Sequence, residues 1–189
     1  MKKHAVTIQY NAPATLTFAL LSLLTLVLAT LTHGWTTDHL FSVYRSPLDD
    51  LLTYPRMVLH VLGHRDLAAC TANIVMILVV GPAAEERFGS AKVLLAILLT
   101  AIATSLVMWF LFPASTLMGA SGIVFMLIVL SAFSGARDGV IPLTLLLVLA
   151  LYLGSEDVQA VTGTRDLAQL TQITGGVVGV LLGAIYARS

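Results

Sequence analysis

The chain has 189 residues, 58% of them hydrophobic and only 11% charged, and its mean hydropathy is +0.93. A soluble domain is about a quarter charged, so there is too little polar surface here to cover a water-soluble globule, and lipid is the solvent for much of the chain. Ten basic residues balance ten acidic ones, which excludes the basic footprint of a nucleic-acid binder. The single Cys70 excludes an internal disulfide, and no CxxC or CxxH pair suggests a zinc finger. These features describe one all-α polytopic membrane domain over residues 1–189, with the bilayer as its first partner.

Stretches without Asp, Glu, Lys or Arg at 14–32, 67–84, 93–112, 117–134, 139–155 and 167–187 predict six transmembrane helices. Each approaches the roughly 20 residues that cross a ~30 Å hydrocarbon core, and backbone groups in lipid must be satisfied within the segment. Pro113, in the segment 112–116, divides the third span from the fourth. Pro13 and Pro142 fall near helix starts, where proline is tolerated. The first span has no convincing small-residue cleavage site after it and reads as a retained helix, not a signal peptide. With Lys2 and Lys3 inside, six of the ten basic residues lie on the inner side, which places both termini in the cytoplasm. The lack of an organellar transit pattern suits a bacterial cytoplasmic membrane. Residues 33–66 carry Trp35, Phe41, Tyr44, Leu48, Leu51, Leu52 and Tyr54 and predict an element lying in the interface.

The fourth span opens on Gly119-Ala120-Ser121-Gly122. Glycines around a serine at a helix start leave the hydroxyl accessible, but a small-residue packing patch accounts for the same pattern. The start of the second span adds His60, His64, Asp66 and Asn73. An Asn inside a span needs a partner or a site, and its amide can donate to a developing oxyanion. His60 and His64 have the i,i+4 spacing of a metal pair, yet no third ligand accompanies them, which favours imidazoles bonded to loop backbone at the membrane mouth. No cofactor or metal is called for. In the sixth span Gly175, Gly179 and Gly183 form a stripe along which another helix packs closely, and Gln172 lies one turn before it on the same face. The Gly119–Gly122 patch is the natural counterpart.

Together these residues resemble the rhomboid family of intramembrane serine proteases over most of the chain. Gly119-Ala120-Ser121-Gly122 matches the family's nucleophile motif, and His60-x3-His64-x8-Asn73 matches the start of its second helix. Gly81, Glu85, Arg87 and Gly89 match its Gly-x3-Glu-x-Arg-x-Gly signature. Arg56 matches an arginine of its first-loop motif, with Pro55 where a Trp often stands, and Gly175 and Gly179 match the sixth-helix glycines. The resemblance implies a six-transmembrane-helix rhomboid-like bundle with Ser121 as nucleophile and Asn73 as an oxyanion donor.

Two family histidines are absent. The general base of the sixth-helix motif is replaced by Gln172, and the oxyanion His four residues before Asn73 by Ala69; Phe125 stands where an aromatic ring packs beside the catalytic His. A carboxamide does not titrate near pH 7, and removing general-base assistance costs roughly 10²–10⁴ in rate. Losing one oxyanion donor costs a further ~10²–10³. If the second helix ran straight, His64 would stand roughly 13 Å up its axis from Asn73 and His60 a turn further, both beyond reach of Ser121. The expectation is therefore a catalytically impaired homologue, a pseudoprotease that binds transmembrane helices of client proteins. The alternative is an active endopeptidase that cleaves transmembrane substrates through Ser121 with an unorthodox base. An introduced Gln172 is disfavoured because Ala69 departs independently, and a small transporter or channel lacks the charged or broken mid-membrane helix it would need. Glu85 and Arg87 are expected to cap the inner end of the second helix, Met118 and Met126 to fill packing gaps, and Cys70 to be a buried inert thiol.

Overall fold

In the computed structural model, residues 11–135, 143 and 165–187 are described. The first uncharged run forms α1 (Pro13–Leu31), with Pro13 in its first turn, where its fixed φ suits a helix start. Two chain reversals end it: the His33 N–H donates to the Thr30 carbonyl and the Gly34 N–H to that of Ala29, at 3.4 and 2.8 Å. Both residues have left-handed backbone, φ 53° and 89°, the geometry of a Schellman turn.

The following segment contains α2 (Trp35–His39), β1 (Val43–Tyr44), α3 (Thr53–Leu59) and a 3-10 turn at His60–Leu62. Trp35, Leu48, Leu51, Leu52 and Tyr54 are exposed along it, as the expected interfacial element requires. Buried Arg56 ties it together. Its Nε donates to the His39 carbonyl at 2.7 Å, its Nη1 meets Asp50 at 2.8 Å, and its guanidinium lies 4.8 Å from the Tyr44 ring centre. Hydrogen bonding by the Leu52 N–H, with help from Arg56, holds the Asp50 carboxyl below the ordinary range.

The second uncharged run forms α4 (Leu67–Phe88), whose N-cap Asp66 accepts from the Ala69 N–H at 2.8 Å. The helix runs past residue 84, the expected end of the span, because charges bound the lipid-compatible stretch without breaking backbone hydrogen bonding. After Gly89 the chain enters α5 (Ser90–Leu111). The fourth span needs correction at its start. Thr116–Leu117 form β2, which pairs antiparallel with β1 in the register Val43↔Leu117 and Tyr44↔Thr116, so α6 (Ser121–Gly135) begins at Ser121. Among the described residues one short ladder thus accompanies the helices, and the apolar run concealed it. The last described helix is α7 (Arg165–Tyr186). The expected fifth span, 139–155, lies outside the described residues except for residue 143. Four described helices, α1, α4, α5 and α7, are long and apolar enough to cross a membrane, and α6 is a shorter apolar helix.

The core forms around α6. Ile123, Val124, Met126, Leu127, Ile128 and Leu130 are all buried, so this helix is apolar on every side and sits among the others. The remote ends of the neighbours are pinned by side chains. The Tyr186 hydroxyl on α7 donates to the Lys92 carbonyl on α5 at 3.1 Å. Glu85 on α4 accepts from the N–H groups of Ala14 and Thr15 and from the Thr15 hydroxyl, at 2.7, 2.8 and 2.7 Å. Glu85 therefore caps the start of α1, and it also bonds the Ser90 side chain where the chain turns into α5. The carboxylate meets the orphan donors of a helix N-terminus, where negative charge is favoured. Arg87 is exposed, and no bond from it to the helix end is among the described contacts.

Candidate functional site

Ser121 is the first residue of α6 and is half-buried. The turn that presents it depends on Gly119, whose φ of 117° suits only glycine. The Gly119 N–H donates to the His60 carbonyl at 3.0 Å, which fastens this turn to the loop between α1 and α4. One residue beyond the serine, Gly122 lies in a slot where a Cβ would come within 3.1 Å of the methyl carbons of both Thr104 and Thr171.

Helix α7 approaches on its glycine stripe. A Cβ on Gly175 would collide with the carbonyl of Gly122, and one on Gly179 would lie 2.8 Å from the Met126 carbonyl oxygen. The pairings 122 with 175 and 126 with 179 mean that α6 and α7 run in the same direction. Gly122 touches both Thr171 and Gly175, so Gln172 between them lies at the level of Ser121 and Gly122. Gln172 is 5% exposed, and its Nε2 has no hydrogen-bond partner among the described residues. No hydrogen bond joins Ser121 to Gln172 among those residues. Phe125, one turn along α6, faces Gly176, one turn along α7 from Gln172.

Asn73 lies buried on α4, with its Nδ2 donating to the Ala69 carbonyl at 3.1 Å. Ala69 is half-buried, and both its backbone groups are occupied, by Asp66 and Asn73. Cys70 is fully buried, its Sγ 3.9 Å from the Ser22 carbonyl. Met126 is buried in the core, whereas Met118 lines an open cavity at the mouth.

The two loop histidines part company. His60 does not stand a turn above His64 on a continuous helix, because α4 begins only at Leu67 and the chain folds back through the 3-10 turn. Its buried ring reaches α5, with Nε2 3.3 Å from the Thr104 hydroxyl and Nδ1 3.3 Å from that of Ser105. The Ser105 hydroxyl donates to the Met57 carbonyl at 2.8 Å and the Thr104 hydroxyl to the Thr100 carbonyl at 2.9 Å, and the ring also bonds backbone at Arg56 and Met57. Burial pushes this histidine from an ordinary 6.5 down to about 4. His64, 4% exposed, has Nδ1 3.1 Å from the Leu62 carbonyl and is also held below its ordinary value by burial. The imidazole-to-backbone bonding expected at the membrane mouth is present at His64, and His60 combines bonds to backbone at Arg56 and Met57 with contacts to α5 hydroxyls.

Thr100, Thr104, Ser105 and Thr171, absent from the candidates that the sequence suggests, are all buried around this site. Thr100 and Thr104 follow i,i+4 spacing on α5, and a polar stripe within an apolar span is the signal that points to them. Among the described residues no group of three His, Cys, Asp or Glu side chains is arranged to hold a metal. No curated protein matches the chain. A family model described as the Rhomboid domain matches residues 52–189, which takes in Ser121, Asn73, Gln172 and the glycine stripe. With that match over more than two-thirds of its length, this integral membrane chain belongs to the rhomboid family.

Proposed function

We propose that this rhomboid homologue binds transmembrane segments of client proteins without cutting them efficiently. The observation that carries the reading is Gln172, held at the level of Ser121 by the Gly122–Gly175 contact and buried with its amide unpartnered among the described residues. Serine attack needs a group that takes the hydroxyl proton and returns it to the leaving amine. A carboxamide does neither near neutral pH. His60 is no substitute, since both ring nitrogens face α5 hydroxyls and burial has lowered its basicity to about 4. Asn73 and the backbone at Ser121 keep the capacity to hold a carbonyl oxygen, which serves binding as well as chemistry. In this reading the expected fifth span completes a six-helix bundle in a bacterial cytoplasmic membrane, with both termini in the cytoplasm and Glu85 and Arg87 serving folding.

The test is a cleavage assay in liposomes with a generic transmembrane substrate, comparing the chain with Ser121→Ala, Gln172→His, and Gln172→His combined with Ala69→His. The expected result is no Ser121-dependent cleavage by the parent chain and a gain in the double-histidine form. Cleavage by the parent that disappears in Ser121→Ala would establish the active-protease alternative instead.

A further inference from the structure

We propose that the 3-10 turn His60–Leu62 is an acid-sensitive latch, through which proton uptake by His60 releases the turn that presents Ser121. The device goes beyond client binding and holds whether or not the serine cuts, because it governs access to Ser121 and not its chemistry.

The 3-10 turn joins three parts of the fold. The His60 carbonyl accepts from the Gly119 N–H at 3.0 Å, and Gly119 is the left-handed residue two places before Ser121. The Leu62 carbonyl accepts from the Thr25 hydroxyl of α1 at 2.6 Å. The His60 ring, 1% exposed, lies against Thr104 and Ser105 of α5. One imidazole thus seats the residue whose own carbonyl holds the serine turn. The seat is tight on its other side too, because a Cβ on Gly63 would overlap the Phe41 carbonyl. The 3-10 turn therefore has no room to tilt while the ring stays in place.

The packed elements offer that ring no opposite charge. Helices α1 and α6 contain no ionisable residue, and α5 has only Lys92, in its first turn and far from Thr104. Helix α3 contributes Tyr54, whose hydroxyl donates to the Leu48 carbonyl, and Arg56, a like charge one turn before His60. The Asp50 carboxylate is taken by Arg56 and the Leu52 N–H. Past the turn, His64 Nδ1 lies 3.1 Å from the Leu62 carbonyl, Arg65 is exposed, and Asp66 Oδ1 accepts from the Ala69 N–H. Burial accordingly holds His60 at about 4, against an ordinary 6.5. A proton favours the state in which the turn has lifted and the imidazolium is hydrated. Lifting breaks the Gly119 bond, and the serine turn loses its tie to the loop between α1 and α4.

Hydrogen–deuterium exchange on the full chain in nanodiscs reads this opening at the amides of residues 119–122, after correction for the intrinsic effect of pH. The amides of residues 84–89, at the far end of α4, serve as the internal reference. Linkage between 6.5 in the open state and about 4 in the closed one sets the expected result. Protection at 119–122 falls about 30-fold from pH 7.5 to pH 5, with a slope of about tenfold per pH unit, while the reference holds. The acid loss is expected to vanish in His60→Gln and to persist in His64→Gln, which removes the neighbouring imidazole. An equal loss at the reference would show acid unfolding of the whole fold and overturn the proposal. So would constant protection at 119–122, or an acid loss that survives in His60→Gln. The slope in the parent chain decides without any variant, since a loss steeper than one proton, or one outside the window between 6.5 and 4, also overturns it.

Discussion

His60 is neutral inside the protein and gains a proton readily once the chain unfolds, and that difference makes stability depend on pH. Its folded value of about 4 lies below the ordinary 6.5, so the unfolded state binds more protons between those values. Stability from this group is full above pH 6.5, falls as pH drops toward 4, and is level below that; the total is about 3 kcal/mol. Thermal melts in detergent at pH 7.5 and 4.5 check the sign. His60→Gln is expected to melt lower than the parent at pH 7.5 and to show a smaller difference between the two pH values. The same residue-by-residue logic applies at the serine. On the proposed reading, Gln172→His supplies a titratable base at the level of Ser121, while Ala69 leaves one oxyanion position without its donor. The double-histidine form is therefore expected to cleave roughly 10²–10³-fold faster than Gln172→His alone, measured as single-turnover rates.

At the scale of elements, two contacts decide how helices meet. The approach of α7 to α6 depends on Gly175, because a side chain there would overlap the Gly122 carbonyl. Gly175→Val is expected to lower stability by about 2–3 kcal/mol. At Gly176 a Cβ meets only Phe125 Cδ1 at 4.0 Å, so Gly176→Ala should melt close to the parent. Helix α1 is tied to α4 by the Glu85 carboxylate, and Glu85→Ala is expected to cost about 2 kcal/mol through three lost acceptor contacts. Glu85→Gln keeps an acceptor oxygen and should melt between the two. The glycine stripe is legible in the amino-acid sequence, since i,i+4 spacing places small residues on one face. The destination of Glu85 is not, because a carboxylate seventy residues along the chain from its partner leaves no local pattern.

For the whole molecule, the direction of the helices sorts functions to opposite ends. Ser121, His60 and the cavity lined by His33 and Met118 share one end with the segment of residues 33–66, while Glu85, Lys92 and Tyr186 pin the other. Fusing green fluorescent protein or alkaline phosphatase to the C-terminus tests the proposed orientation. Fluorescence without phosphatase activity is expected, and the reverse pattern would invert the topology and turn the serine toward the cytoplasm. Composition and charge spacing by themselves determined that the chain lives in lipid and roughly where its described helices run, and the motifs determined the family. Hydrophobicity and helical periodicity are local, so they survive reading in one dimension. Only the tertiary structure decided that Thr116–Leu117 leave the helix to pair with Val43–Tyr44, that His60 folds back onto α5, and that Gln172 comes level with Ser121. Those outcomes depend on close contacts between segments far apart in the chain, where packing and the need to satisfy buried polar groups select one arrangement.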